Sequence, residues 1–332
     1  MKKIKIGVLI GGISAEHEVS LATGQNVIDN LDRSKYSPVV IKITKDKKWF
    51  LNGRAVASEA NALKSCDVVF NALHGTFGED GRVQALLEYY GKLYTGSGIT
   101  ASALAMDKLR SREMFKLAGL QVPKTLKIRK GDNYQALLNV FVNKIVNFPV
   151  VVKPCSSGSS IGVQIVNNQS KLDKAVEGAF QLDKKVLIEE FIEGKEVTCG
   201  ILDSIGSVTA LPVTEILPKR SNKFYNYKAK YKDRQCDFVI PAQIDDDLTK
   251  RIQEIAVKTH QLLGCKAYSR TDMIIKPVRP IQQVQGEGND IYVLEINTLP
   301  GLTSHSLVPM AAKIAGLSFS QLLDNIITSS LA

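Results

Sequence analysis

Arg270, Asp272, Glu295 and Asn297 are the densest group in the chain able to do chemistry. Arg270 and Asp272 stand two apart in the run Ala267–Ile275, and Glu295 and Asn297 stand two apart at the end of a second run, Ile291–Ile296. Side chains two apart in a strand share a face. If the runs pair as a hairpin, three oxygen donors and a guanidinium converge. Magnesium takes a few carboxylate oxygens and fills its shell with water and substrate phosphate, and this donor set suits it. Polar alternation on a solvated sheet is the alternative. Against it, the intervening residues Thr271, Met273 and Ile296 are mostly apolar, and Asn297 runs directly into the tight turn Thr298-Leu299-Pro300-Gly301.

A second group, Lys153-Pro-Cys-Ser-Ser-Gly-Ser-Ser-Ile-Gly162, lies between two apolar runs. Amides of a Gly/Ser turn can wrap phosphate oxygens, and a lysine at a strand end adds charge. It is not a Walker A loop, since GxxxxGK[ST] occurs nowhere, and by itself such a loop serves equally as a plain connection. His74-Gly75 and Gly78-Glu79-Asp80-Gly81 follow the run Asp67–Asn71, and Gly11-Gly12 through Glu16 follow the first apolar run. Ligands of parallel sheets gather at the carboxyl ends of strands, so two polar clusters at two such ends suggest a substrate pocket. Turn and capping chemistry accounts for Asp80 as well, and the helix dipole alone accounts for acids at Glu16 and Glu18. His17-Glu18 does not extend to HExxH, and no GxSxG elbow exists. Gly96-Ser-Gly-Ile-Thr-Ala101 fits the dinucleotide pattern GxGxxA and would suggest an oxidoreductase. No acid follows about 20 residues on to hold a ribose, where Gln121 and Val122 stand instead, so the segment reads as a strand-to-helix turn. Between Lys219 and Arg234, Phe224, Tyr225, Tyr227 and Tyr231 interleave with basic residues. Stacking on single-stranded nucleic acid, a lid over an anionic substrate and a solvated loop all fit that composition.

The elements that must position these residues alternate. Strand-like Ile4–Ile10, helical Glu16–Leu31 with Ser14 as its cap, and strands Val39–Ile43 and Asp67–Asn71 before helix Arg82–Tyr90 imply a parallel α/β unit. A second unit holds helix Lys108–Ala118, helix Tyr134–Val146, strand Pro149–Lys153, strand Gly162–Val166, helix Lys171–Phe180 and strand Lys185–Glu190. The third holds strands near Val197–Leu202 and Val208–Leu211, the polar stretch Pro218–Asp237, helix Asp247–Leu263, the two strands of the polar square, and two short helices. With 332 residues, 44% of them hydrophobic, the chain can build two or three lobes around a cleft. No apolar run approaches the length of a membrane span. Five scattered cysteines with no CxxC exclude a disulfide framework or a structural zinc site and fit a reducing cytoplasm. The net charge of +10 is dispersed and suits phosphate-bearing substrates as well as nucleic acid.

Taken in order, GGISAEHEVSL, ALHGTFGEDG, YTGSG, ASALAMDKLRS, VVKPCSSGSSIG, LIEEFIEGKEVT, FYNYKAKY, YSRTDM and YVLEINTLPGLTSHSLVPMAA span essentially the whole chain. Together they resemble the D-alanine–D-alanine ligases of the ATP-grasp superfamily. The resemblance implies an α/β ATP-grasp fold: an N-terminal substrate-binding domain over residues 1–106, a central lobe over 107–190, and a C-terminal lobe over 191–332 with a mobile loop at 219–235. It implies ATP and two magnesium ions, or manganese in their place, two D-alanine molecules as substrates, peptidoglycan precursor synthesis, a homodimer, and no nucleic-acid or membrane partner. Lys108, Lys153 and Lys230 match phosphate contacts. Glu189, Glu190, Phe191, Ile192 and Glu196 match the adenine and ribose segment. Asp272, Glu295 and Asn297 match the magnesium ligands, Glu295 bridging, and Arg270 with the Gly301 amide matches the oxyanion-stabilising pair. Glu16 matches the carboxylate that holds the first D-alanine ammonium, with His74 nearby. Ser306 and Leu307 match the pocket for the second D-alanine. Tyr231 matches a hydroxyl that joins Ser159 and Glu16 in a latch and marks the dipeptide class against the D-alanine–D-lactate enzymes. A non-catalytic nucleotide- or RNA-binding protein is the rival from another class. Cys155 and Ser157 depart from the family's usual Ser and acidic residue, and a cysteine there carries the expectation of thiol sensitivity.

Overall fold

The first strand, β1 (Ile4–Gly11), is buried on both faces from Ile6 onward. A near-continuous apolar run of this kind belongs in the middle of a parallel sheet covered on both sides. The computed structural model, which describes residues 2–155, 162–218, 236–277 and 290–331, places it there. Helix α1 (His17–Asn30) leads to β2 (Tyr36–Ile43), and a short antiparallel edge follows as β3 (Trp49–Leu51) and β4 (Arg54–Ala55). Helix α2 (Glu59–Leu63), β5 (Val68–Asn71), α3 (Arg82–Tyr89), β6 (Leu93–Tyr94) and α4 (Ile99–Met106) complete a sheet ordered β4-β3-β2-β1-β5-β6. Gly98 stands at the N-cap of α4, so the glycine pattern at 96–101 is a strand-to-helix turn, as expected.

The central unit runs α5 (Lys108–Leu117), β7 (Thr125–Arg129), α6 (Gln135–Val140), β8 (Val150–Pro154), β9 (Gln164–Val166), α7 (Gln169–Phe180) and β10 (Lys185–Glu190). Its strands form the antiparallel sheet β7-β10-β8-β9. The expected single helix over Tyr134–Val146 is α6 followed by a π-helical turn at Phe141–Ile145, a widening that sequence periodicity does not register.

The last unit holds β11 (Lys195–Ser204), β12 (Ser207–Ala210), β13 (Thr214–Pro218), β14 (Cys236–Val239), α8 (Asp246–Leu262), β15 (Tyr268–Lys276), β16 (Asp290–Asn297), α9 (Leu307–Ile314) and α10 (Phe319–Ser329). The sheet order is β14-β13-β11-β15-β16, with β12 paired to β11. Pro218, Cys236 and Asp237, expected in a polar stretch, lie in β13 and β14 instead. Helix starts follow local chemistry. The Asp245 carboxylate accepts the Leu248 amide at 2.7 Å to begin α8, and Ser318 with Gln321 forms a reciprocal capping box at α10.

β1 divides its side chains between two cores. Leu9 faces Ile41, Trp49, Leu63 and Leu87, whereas Ile6, Val8 and Ile10 join a core with Leu322, Leu323, Ile326 and Ile327 of α10 and Tyr268 of β15. Gly24 of α1 permits the close packing of helix on sheet, because a Cβ there would lie 2.1 Å from Ile10 Cγ2. Gly24→Ala therefore forces the helix off the sheet. The expected loss is about 1–3 kcal/mol, read as a lowered urea midpoint with an unchanged slope.

Candidate active site

β15 and β16 pair Arg270 with Asn297 and Asp272 with Glu295 directly across the ladder. The hairpin square inferred from spacing is thus present. One further residue was required to build it. Met273 pairs with Val293, so Leu294 is an extra residue, a β-bulge. Arg270 Nε and Nη2 each donate to the Asp272 carboxylate at 2.8 Å, a bidentate pair, and Thr198 Oγ1 donates to Asp272 Oδ1 at 2.6 Å. The Asn297 side-chain oxygen accepts the Leu299 amide at 2.8 Å, which ties that side chain to the turn leading to Gly301. Two carboxylates and one amide oxygen are hard donors on one face, and they fit magnesium.

Lysines approach this face from the central unit. Asp107 caps α5 by accepting the Leu109 and Arg110 amides at 3.2 Å, which fixes Lys108 as its first residue. Lys108 Nζ lies 3.4 Å from Glu295 Oε2. On β8, Lys153 pairs with Leu187 of β10, so Lys153 and Glu189 are diagonal neighbours on one face. Their Nζ–Oε2 separation is 2.8 Å. Arg112 closes on the other oxygen of Glu189. Burial pushes the Lys153 ammonium down to about 8, Arg112 adds to the shift, and Glu189 and Glu295 oppose it. Burial acts to raise the Glu189 carboxyl, but Arg112 and Lys153 outweigh it and hold the group below its ordinary value. Among the described residues of the cleft, Lys108, Arg112, Lys153 and Arg270 stand among the carboxylates Glu189, Glu196, Asp272 and Glu295. The two lysines suit the phosphates of a nucleotide triphosphate. Downstream of Glu189, Glu190 Oε2 accepts the Lys124 amide at 3.3 Å. Ile192 is buried, while Phe191 and Glu196 are half-buried.

The parallel sheet contributes a second cluster at the carboxyl ends of β1 and β5. Glu16 precedes the first residue of α1 and is buried. Ser14, expected as the helix cap, serves otherwise: its hydroxyl donates to the His74 carbonyl at 2.6 Å and accepts the Glu16 amide at 3.1 Å. His74 Nε2 lies 2.8 Å from Thr23 Oγ1, its Nδ1 faces Glu79 at 3.5 Å, and Glu79 also accepts the Gly75 amide at 2.8 Å. Gly75, at φ +68°, is where the two strand ends meet. A Cβ there would stand 2.4 Å from Glu16 Oε2. Asp80 is taken up structurally, accepting the Phe77 amide at 2.8 Å and pairing with Arg82 at 2.7 Å.

Past the turn, Gly301 abuts Ser306, whose hydroxyl lies 3.0 Å from the position of a Gly301 Cβ and accepts the Thr303 amide at 3.0 Å. Ser306 precedes α9, and Leu307 is buried beside Ile216, Cys236, Phe238 and Met310. Ser157, Ser159, Lys230, Tyr231 and the loop 219–235 lie outside the described residues. Cys155 is fully buried, its thiol pushed up by burial and by Asp107. A thiol held protonated and shielded is a poor nucleophile, which argues against the expected thiol sensitivity. Sequence reasoning passed over Thr198 and Arg112. The spacing of Arg112 four residues after Lys108, on the same helix face, was the available signal.

Solved structures share this architecture. The VanG D-Ala:D-Ser ligase of Enterococcus faecalis superposes with a TM-score of 0.84 at 34% identity, over 99% of this chain and 100% of that one. A Bacillus anthracis D-alanine–D-alanine ligase complexed with ATP superposes with a TM-score of 0.76 at 33% identity, over 99% and 97%. The sheets and the cleft between them place the chain among the ATP-grasp ligases. Family models described as the D-ala D-ala ligase N-terminus and C-terminus match residues 5–62 with 52–97 and residues 114–328, respectively. A D-alanine–D-alanine ligase of Syntrophobacter fumaroxidans is 41% identical over 99% of this chain and 98% of its own length, and one of Halalkalibacterium halodurans is 40% identical over 99% of each. The chain belongs to the D-alanine–D-alanine ligase family.

The low Lys153 value has a measurable consequence. Bound triphosphate adds negative charge and favours the ammonium, so nucleotide binding takes up a proton once pH exceeds about 8. Affinity for ATP or ADP is expected to weaken by up to about tenfold per unit above that pH, followed by calorimetry, and Lys153→Met should flatten the profile. The sign for folding is the reverse. A lysine whose folded value lies below its ordinary 10.5 destabilises the fold at neutral pH, and this penalty fades between about 8 and 10.5.

Proposed function

We propose that the chain joins two D-alanine molecules at the expense of ATP, through a D-alanyl phosphate. The observation that carries this is the approach of Lys108 to Glu295, which pairs across the ladder with Asp272, with Lys153, held on Glu189, close enough to feel the Glu295 charge. The relatives named above support the choice of substrates. Lys108 and Lys153 hold the phosphates, and the segment Glu189–Ile192 with Glu196 borders the adenine and ribose. Asp272, Glu295 and Asn297 would hold magnesium, which when bound offsets the charge of the phosphate oxygens during transfer. Residues 1–106, 107–190 and 191–332 are read as the three lobes.

The first D-alanine sits at the strand ends with its ammonium on Glu16, near His74. Its carboxylate oxygen attacks the terminal phosphorus of ATP and ADP departs, leaving an acyl phosphate. The second D-alanine, held by Ser306 and Leu307, attacks the acyl carbon through its neutral amine. Arg270 and the Gly301 amide stabilise the oxyanion. Phosphate is expelled, the amine loses its proton, and D-alanyl-D-alanine remains. The bidentate hold of Asp272 on Arg270 fixes the guanidinium in plane, so a small reorientation, not a search of rotamers, brings it to the oxyanion. The five buried, unbridged cysteines support action in the cytoplasm. The product supports a role in supplying peptidoglycan precursors. A homodimer is inferred from family resemblance and is checked by light scattering.

The test is ATP-dependent phosphate release with D-alanine, L-alanine or no amino acid, with the product identified by mass. The likeness to a D-Ala:D-Ser ligase makes D-serine, alongside D-lactate, the informative competitor for the second position. Release that depends on D-alanine and yields the dipeptide is expected; a serine- or lactate-containing product in excess would reassign the second pocket. Gly75→Ala should raise the KM for the first D-alanine about tenfold or more by displacing the Glu16 carboxylate, while nucleotide affinity stays unchanged.

A further inference from the structure

The face on which Glu295 sits is decided by one residue. Ile291 and Val293 point into the core shared by Met273 and Ile275. Strict alternation would carry Glu295 into that same core. The extra residue Leu294 inverts the alternation: Ile296 returns to the core, and Glu295 and Asn297 emerge beside Asp272 and Arg270. The donor face for magnesium therefore exists only while the bulge holds.

β16 is the edge strand of its sheet, so the bulge is gripped from outside. Arg112 Nε donates to the Leu294 carbonyl at 2.8 Å. One turn and more beyond it, the Gln121 carbonyl accepts the Val293 amide at 2.8 Å. The same guanidinium binds Glu189 through Nη1, which also donates to Thr125 Oγ1 at 3.3 Å. Glu189 in turn holds Lys153. One planar side chain is thus bonded to the bulge that aims a metal carboxylate and to the carboxylate that aims a phosphate lysine, on two different sheets. A purely structural need would be met as well by apolar side chains, since buried ion pairs seldom add net stability. Bulges beside reactive centres commonly serve to re-aim a side chain.

We propose that Arg112 is a positioning residue: it locks the Leu294 bulge and the Glu189 carboxylate together, so that Glu295 and Lys153 present to the same metal–nucleotide complex. The inference rests on the magnesium-dependent ligase reading. It predicts that Arg112 acts on metal affinity and not on D-alanine. Removing a residue that orients a metal ligand typically costs about 10- to 100-fold in metal affinity.

The experiment titrates Mn2+ into the protein–ADP complex by electron paramagnetic resonance, for wild type, Arg112→Met and Arg112→Lys, with thermal unfolding and D-alanine KM measured alongside. Arg112→Met is expected to weaken Mn2+ binding about tenfold or more, with the D-alanine KM within about twofold of wild type. Arg112→Lys keeps a charge for Glu189 but cannot also reach Leu294, and should lie between. Wild-type Mn2+ affinity in folded Arg112→Met overturns the proposal. If that variant does not fold, wild-type affinity in Arg112→Lys overturns it. Wild-type protein that binds ADP but no Mn2+ would overturn the metal reading itself, a result distinct from equal binding by wild type and variants.

Discussion

The arrangement depends on burying like and unlike charges side by side. Lys108, Arg112, Lys153 and Arg270 repel one another, and among the described residues Glu189, Asp272 and Glu295, each paired with one or two of them, offset that repulsion. The pairs hold only while the charged groups keep their positions. Each participant is therefore fixed by rigid backbone, on β8, β10, β15, β16 or the first turns of α5. Flexible loops would let the charges relax toward water and lose the field that makes the cleft useful.

The strand-end cluster of the parallel sheet works on a different principle. There the groups are knit by hydrogen bonds of a few short links, from Ser14 to His74, from Thr23 to His74 and from Gly75 to Glu79. Turns at Gly11, Gly12 and Gly75 adopt positive φ, so backbone can crowd where side chains could not. One half of the cleft is tuned by charge and the other by shape, consistent with a highly charged cosubstrate in one and a small zwitterion in the other.

Much of this was legible in the sequence because period-two spacing survives translation into strands. Arg270 with Asp272 and Glu295 with Asn297 announced their shared face, and the alternating first third announced a parallel sheet. The bulge at Leu294 was not legible: an inserted residue has the same composition as the strand around it, and only the opposite strand reveals the count. Thr198 and Arg112 were missed because their partners, Asp272 and the pair Glu189 and Leu294, are distant in sequence. Ser14 was misread because a serine before a helix caps it by default, whereas here its oxygen accepts the Glu16 amide, ahead of the helix, while its hydrogen goes to the His74 carbonyl. The short strands β3 and β4 carry no readable period, and the π-helical turn after α6 differs from an α-helix only in closing its hydrogen bonds one residue further along.

The core around β1 decides which parts of the molecule are bound into one cooperative block. Ile6, Val8 and Ile10, covered by α1, share that core with Tyr268 of β15 and with Leu322, Leu323, Ile326 and Ile327 of α10. Among the described residues the central sheet keeps a core of its own, around Val150, Val152, Leu172 and Ile188. The first and last units are thus welded by apolar contact, whereas the central sheet is joined to them through the charged cleft. A partial opening that swings the central sheet away would leave the welded block intact, so the lowest-energy fluctuation of the molecule runs along the same line that the cleft occupies.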